Sequence, residues 1–318
     1  KYIGFIMLLF AGTSSLLSFK YYVLIVKMLK QWRISAGNFL LKSTSETKRN
    51  NIEFHSENLK KISEHLPKHL KLLNDEQLGH YLAGLIDGIG QFNLNHYLVI
   101  ELNSFNLALG YYIKKKLGYG RVIKVQNKNI YLFILSDFIG FIKLINLING
   151  KLRTLNKFNQ LNNILMSPNF LNENLILKIN NTNDFNNHWL AGFSDSLANF
   201  QIIINFKNSL TQKLILNPEI KLNYQIKNKE NNIFILLKEI FGGIISYNNL
   251  NKEYTYSSNS FGSVRKIINY FNRFHLQSNK HVNYLKWRKT YILIQNELTE
   301  KNIKRIIKIK NSMNRNSI

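Results

Sequence analysis

The sequence predicts an α+β protein: two αββαββα repeats related by a pseudo-twofold axis, their antiparallel strands forming one saddle with the helices on one face. Three observations predict it. A ten-residue stretch is stated twice, 108 residues apart from Tyr81 to Trp189. Each copy is followed by segments in which apolar and polar residues alternate with the period of a strand. Helix starts and stops then fall in the same order after both copies.

The first copy is Tyr81-Leu82-Ala83-Gly84-Leu85-Ile86-Asp87-Gly88-Ile89-Gly90, followed by Phe92. The second is Trp189-Leu190-Ala191-Gly192-Phe193-Ser194-Asp195-Ser196-Leu197-Ala198, followed by Phe200. Aromatic, Leu, Ala, Gly, Asp and Phe line up between them. A repeat this long exceeds a solenoid unit and defines two half-domains. Gly84 and Gly88 are four residues apart and so share one helix face. Ala83 widens that face, and Ala191, Gly192 and Ser196 repeat it. Two such faces let two helix backbones nearly touch, so these six residues form the expected repeat interface. Asp87 and Asp195 fall near the helix ends and read as structural.

Residues 1–31 form a leader. Tyr2 to Phe19 carries no charge over 18 residues, the low edge for a membrane-spanning helix. A short membrane anchor, a targeting segment and a buried helix all remain open. Residues 32–76 read as a basic, solvated linker with a short helix over 58–65 that Pro67 stops.

The first repeat spans 77–165. Strands are expected at Gln91–Asn95 and Leu98–Asn103, where Leu98, Ile100 and Leu102 alternate with polar or outward positions. Ser104 is placed to cap a helix that ends at Gly118, and Asp137 to cap one closed by Gly150. Between them, Asn127-Lys128-Asn129 turns a hairpin of 121–126 and 130–135. Residues 159–187 are Asn-rich and join the repeats, with the linker proper at 166–186.

The second repeat, 187–318, has the same order. Strands are expected at 200–207 and 219–227, a helix ended by Gly242-Gly243, a hairpin of 244–247 and 253–257, and a helix over 261–274. In the second strand Lys221, Asn223, Gln225 and Lys227 alternate with Ile220, Leu222, Tyr224 and Ile226. One face is then apolar and the other basic and amide-rich. That polar face, with Arg121, Lys124 and Lys280, is the expected nucleic-acid surface. The tail carries two basic amphipathic helices, with Lys301, Lys304, Arg305 and Lys308 in the second.

Composition narrows the partner. The 318 residues hold 43 Lys+Arg against 18 Asp+Glu, a net charge of +25. Such an excess calls for a polyanion, nucleic acid or an anionic membrane. Without cysteine there is no disulfide framework and no thiolate metal site. The eight His show no ligand spacing. Richness in Asn, Lys, Ile, Leu, Phe and Tyr fits an AT-rich genome such as a fungal mitochondrion.

The repeated stretch resembles the LAGLIDADG homing endonuclease and maturase family. Leu82 to Asp87 spells the first six letters of that name, and Leu190 to Asp195 is similar to a common variant. The resemblance covers about residues 77–310. In the family the metal-binding carboxylate is the eighth letter, which here is Ile89 and Leu197. Mg²⁺ needs hard oxygen ligands, and neither alkyl side chain supplies one. Asp87 and Asp195 sit two residues earlier, about 200° around a helix, and point elsewhere. Lys280 in Ser278-Asn279-Lys280, and Lys157 at the comparable point of the first repeat, resemble the family's charge-stabilising lysines.

The resemblance therefore implies a maturase that has lost cleavage. It would bind group I intron RNA and assist mRNA splicing in the mitochondrion as a monomer, with no cofactor or metal. A protein splicing co-factor and membrane association through residues 1–31 accompany that reading. The alternative is a site-specific DNA homing endonuclease using Mg²⁺ through other carboxylates. The third reading is a degenerate remnant that binds polyanions without preference.

Overall fold

The computed structural model describes residues 61–94, 96–170, 175–208, 214–227, 232–296 and 298–314. Residues 61–318 form one unit. The leader, and the linker up to residue 60, lie outside the described residues.

Helix α1 (Asp75–Ile89) starts where Asn74 Oδ1 accepts from Gln77 N at 2.9 Å. It leads into strands β1 (Gly90–Asn93) and β2 (Tyr97–Asn103). Asn103, rather than Ser104, makes the next cap, accepting from Asn106 N at 3.0 Å above a 3₁₀ turn. That turn opens α2 (Leu107–Leu117), which stops at Gly118 with φ of 82°, a left-handed C-cap. The hairpin β3 (Arg121–Lys124) and β4 (Ile130–Leu135) follows. Asp137 Oδ1 then accepts from Gly140 N at 2.7 Å and starts α3 (Phe138–Ile148).

The second repeat restates this order. Helix α5 (Trp189–Leu197) leads to β5 (Asn199–Asn208), β6 (Leu214–Lys227), α6 (Asn232–Phe241), β7 (Ile244–Asn248), β8 (Glu253–Ser258) and α7 (Phe261–Phe271). Helices α8 (Lys280–Gln295) and α9 (Glu300–Asn314) close the chain. The strand orders are the same, β1-β2-β4-β3 and β5-β6-β8-β7, and all described pairings are antiparallel. Pro218 sits inside β6 opposite Ile204, where pairing with β8 has already ended at Leu222. Its missing N–H therefore forfeits no ladder bond.

The alternation reads through to burial. Ile220, Leu222 and Tyr224 are buried, while Lys221, Asn223 and Gln225 are not. The buried faces carry the helices, and the core runs through both repeats, with Tyr81, Trp189, Phe193, Phe234 and Trp287 among its largest members.

Two expectations are corrected. The Asn-rich stretch begins with a helix, α4 (Leu155–Leu165), in which Leu161 and Ile164 are buried. Asn lowers helix propensity, but an amphipathic face that packs overrides it. The 61–73 segment is not helical, and although most of its side chains are exposed it is fastened at several points. Residues 61–70 are irregular, Ile62 and Leu72 are buried, and the segment is strapped onto the second repeat. Ile62 N donates to Gln295 Oε1 at 2.9 Å, and Arg288 donates to the Ser63 and His65 carbonyls at 2.8 and 3.0 Å. Backbone groups that a helix would satisfy internally find tertiary partners instead.

Candidate functional site

The two copies of the stretch become α1 and α5, and their small residues meet at the crossing. A Cβ built at Gly84 would fall 1.8 Å from the Trp189 carbonyl oxygen, and one at Gly192 would fall 1.9 Å from that of Tyr81. The contact is reciprocal, as a pseudo-twofold requires. Further along, a Cβ at Gly88 would fall 1.8 Å from Ser196 Oγ. Ala83 and Ala191 are fully buried.

Each helix carries a carboxylate held by the other repeat's helix. Asp87 accepts from Trp189 Nε1 at 2.8 Å, and from Arg153 N, Thr154 N and Thr154 Oγ1 at 2.8, 3.1 and 2.5 Å. Asp195 accepts from Tyr81 OH at 2.7 Å, and from Gln277 N, Ser278 N and Ser278 Oγ at 2.7, 3.1 and 2.5 Å. So the aromatic opening each copy is a hydrogen-bond donor to the Asp of the other copy. Burial pushes the Asp87 carboxyl up to about 6 and raises Asp195 also, against the pull of these donors. Each carboxylate thus has four donors, two of them backbone N–H groups.

The sequence does not reveal the loops that complete the cages, Arg153-Thr154 and Gln277-Ser278. They lie 66 and 82 residues from their Asp. One clue was present: both opening aromatics, Tyr81 and Trp189, carry a donor where Phe would not.

Beyond the cages, Ile89 and Leu197 are half-buried and pack against the core. A Cβ on Gly88 would lie 3.4 Å from Leu197 Cγ, so the two helix ends converge there with alkyl groups. Lys280 reaches this region. Its Nζ donates to Ser196 O at 2.9 Å and Ser194 O at 3.4 Å, carbonyls at the end of α5. Burial pushes its ammonium down to about 8. The cages equate Ser278 with Thr154, so the counterpart of Lys280 is Asn156, and half-buried Lys157 stands one residue further along α4.

The depressed pKa gives a test. The folded protein releases the Lys280 proton near pH 8, whereas the unfolded chain keeps it to about 10.4. Stability conferred by this group is present above the unfolded value and lost as pH falls through 8. Urea denaturation of the wild type, compared with Lys280→Met, should show the wild type gaining stability between pH 8 and 10. Parallel curves would show an unperturbed lysine.

The outer sheet faces differ. On the second sheet, Gln201 pairs with Lys221, Asn199 with Asn223, Gln225 with Thr255 and Asn223 with Ser257, giving an open amide and hydroxyl surface. Asn223 Nδ2 donates to Gln201 Oε1 at 3.2 Å. Lys227 holds the register position opposite Glu253. On the first sheet, Arg121 lies opposite Ile134 on the outer face with Glu101 and Gln91. Lys124, three residues on, falls with Val122 and Phe133 on the helix-covered parity and is exposed at the strand end. Arg121 and Lys124 therefore do not share a surface, because an odd spacing along a strand changes face. A separate basic stripe runs along α9, where Lys301, Lys304, Arg305 and Lys308 are exposed over buried Ile306.

The histidines hold the other departure from sequence. His69, His275 and His281 come together, one ring nitrogen of each lying within 4.8 Å of the others. No sequence spacing announces a cluster drawn from positions 200 residues apart.

The LAGLIDADG endonuclease family profile matches residues 190–291. An uncharacterized cox1 intron-2 37.2 kDa protein of Schizosaccharomyces pombe is 47% identical, across 96% of this chain and 97% of its own. In Saccharomyces cerevisiae, the intron-encoded DNA endonuclease aI3 is 30% identical across 76% of this chain and 69% of its own. The intron-encoded RNA maturase bI4 of that yeast is 30% identical across 68% of this chain and 33% of its own. The LAGLIDADG homing endonuclease I-LtrWI, solved bound to target DNA, matches in fold with a TM-score of 0.58 at 20% identity, over 76% of this chain and 99% of that one.

Proposed function

Because this chain belongs to the LAGLIDADG intron-encoded family, we propose that it is a maturase, which binds group I intron RNA and assists splicing of a mitochondrial transcript without cutting DNA. The observation that carries this reading is the pair of helix ends. Ile89 and Leu197 place alkyl groups where the family places metal-binding carboxylates, and the two retained carboxylates, Asp87 and Asp195, are each engaged by four donors. A carboxylate held this way would have to abandon buried donors to bind Mg²⁺.

The polar outer face around Lys221, Asn223 and Gln225, with Arg121 across on the first sheet, is suited to phosphate and 2′-hydroxyl contacts along a folded RNA. The α9 stripe adds a second set of phosphate contacts. Both repeats lie in one chain, so a monomer already contains the paired helices that the fold requires. The second reading is a site-specific DNA homing endonuclease. It is favoured by the amide-rich sheet face, since amides also read base edges in a major groove. It requires metal ligands other than Asp87 and Asp195.

The experiment offers the full-length chain its intron RNA and its intronless DNA target together, with Mg²⁺ at moderate salt. The expected result is splicing accelerated at least about tenfold, roughly 1.4 kcal/mol of barrier, with the DNA intact. Double-strand cleavage of the DNA would sink the maturase reading. RNA binding with no preference over random polyanions and no acceleration would leave only the non-specific remnant, recognisable by a salt slope set by contact number alone.

A further inference from the structure

His69 comes from the strap, His275 from the loop after α7, and His281 from the first turn of α8. Their ring centroids lie 4.2, 5.5 and 5.6 Å apart. From this geometry we infer that His69, His275 and His281 bind a divalent transition metal of the Zn²⁺ class, a site distinct from the helix ends and independent of whether the protein is a maturase.

Three observations carry the inference. The first is donor position. One nitrogen from each ring lies within 4.8 Å of the others, and a tetrahedral Zn²⁺ with bonds of about 2.0–2.1 Å needs its donors roughly 3.3 Å apart. Binding would draw the donors together by up to about 1.5 Å.

The second is the hydrogen-bond pattern behind the rings. His69 Nε2 lies 2.8 Å from Leu276 O, and His275 Nε2 lies 3.2 Å from Asn272 O. Carbonyls only accept, so both Nε2 atoms carry the hydrogen, which leaves Nδ1 as the nitrogen of each ring that could ligate. A ring that donates backwards to a carbonyl is oriented as metal-ligating histidines are. The contact that a metal would displace is the long one from Leu70 N to His275 Nδ1 at 3.2 Å.

The third is an orphan. His281 Nδ1 is buried without a hydrogen-bond partner. A buried nitrogen in that condition calls for a water or an ion. Imidazole donors select Zn²⁺, Ni²⁺, Cu²⁺ or Co²⁺ over Mg²⁺ and Ca²⁺. Three protein ligands leave a fourth position for water. Bound metal would tie the strap to the loop that presents Gln277 and Ser278 to Asp195.

The full-length chain, stripped by chelator and dialysed, would be titrated with Zn²⁺ by calorimetry and with Co²⁺ by visible absorption. One equivalent should bind, with the intense visible bands of a tetrahedral Co²⁺ centre and a melting temperature that rises with Zn²⁺ concentration. His69→Gln and His281→Gln should each weaken binding by at least about tenfold. No stoichiometric binding, or unchanged binding in the doubly substituted chain, would overturn the inference and place any metal on other histidines. If a variant fails to fold by circular dichroism in chelator, the wild-type Co²⁺ spectrum decides alone, since faint octahedral bands would exclude the site.

Discussion

Alanine at Gly84 should remove a large part of the protein's stability, and alanine at Gly192 should do the same. Added methyl groups in a packed core usually cost about 1–3 kcal/mol, because side chains rotate away. Here the obstacle is backbone. The new Cβ would meet Trp189 O at 1.8 Å and Trp189 C at 2.8 Å, and from the other side Tyr81 O at 1.9 Å. Neither carbonyl can move without shifting a helix, so α1 and α5 must separate along their length. The cost should exceed about 3 kcal/mol, a large part of the 5–15 kcal/mol that holds a domain together. Once one substitution has parted the helices, the second meets less resistance. The double variant should therefore cost less than the sum of the singles. Gly88→Ala differs in kind, because its obstacle is the Ser196 side chain, with Oγ at 1.8 Å and Cβ at 2.6 Å. It should be largely rescued by Ser196→Gly. Urea denaturation measures all five variants, and a Gly84→Ala chain as stable as the wild type would mean the helices do not touch at this point.

The part of this architecture that the sequence made legible is the part encoded locally. Gly84 and Gly88, restated as Gly192 and Ser196, announce a close helix pair through spacing alone. Ile220, Leu222 and Tyr224 announce a sheet face through alternation, and Asp137 and Gly118 mark helix ends by their own chemistry. What stayed hidden depends on contacts between distant segments. Nothing near Asp87 in the chain points to Thr154, and nothing near His69 points to His281. The strap's attachments are hidden in the sequence because its residues show no apolar period. Its hydrogen bonds to Arg288 and Gln295 cross more than 220 residues. Lys124 lies on the other face from Arg121 for a simpler reason, an odd spacing along one strand.

The cages give the two aspartates a role at the crossing of α1 and α5. Asp195 links three segments, namely α1 through Tyr81, its own helix, and the loop that starts α8. Its removal should therefore be felt across both repeats. Asp195→Ala leaves the Tyr81 hydroxyl, two backbone N–H groups and the Ser278 hydroxyl without their acceptor, and should cost about 3–5 kcal/mol. Asp195→Asn should cost less, since it removes a buried charge while keeping one acceptor oxygen. Tyr81→Phe alone should cost about 1.5–3 kcal/mol as the loss of one bond to a charged group, but almost nothing in the Asp195→Ala background. That coupling separates a cage from independent packing, and additive costs would refute it. Asp87 supplies the pH counterpart. Its carboxyl is raised to about 6, so the folded protein holds a proton that the unfolded chain releases near pH 3.9. The stability from that group is fully present below the unfolded value and is lost as pH rises through 6. Asp87→Asn should therefore lack a fall in stability between pH 4 and 6 that the wild type shows, and equal slopes in the two proteins would place the Asp87 charge outside the buried interface.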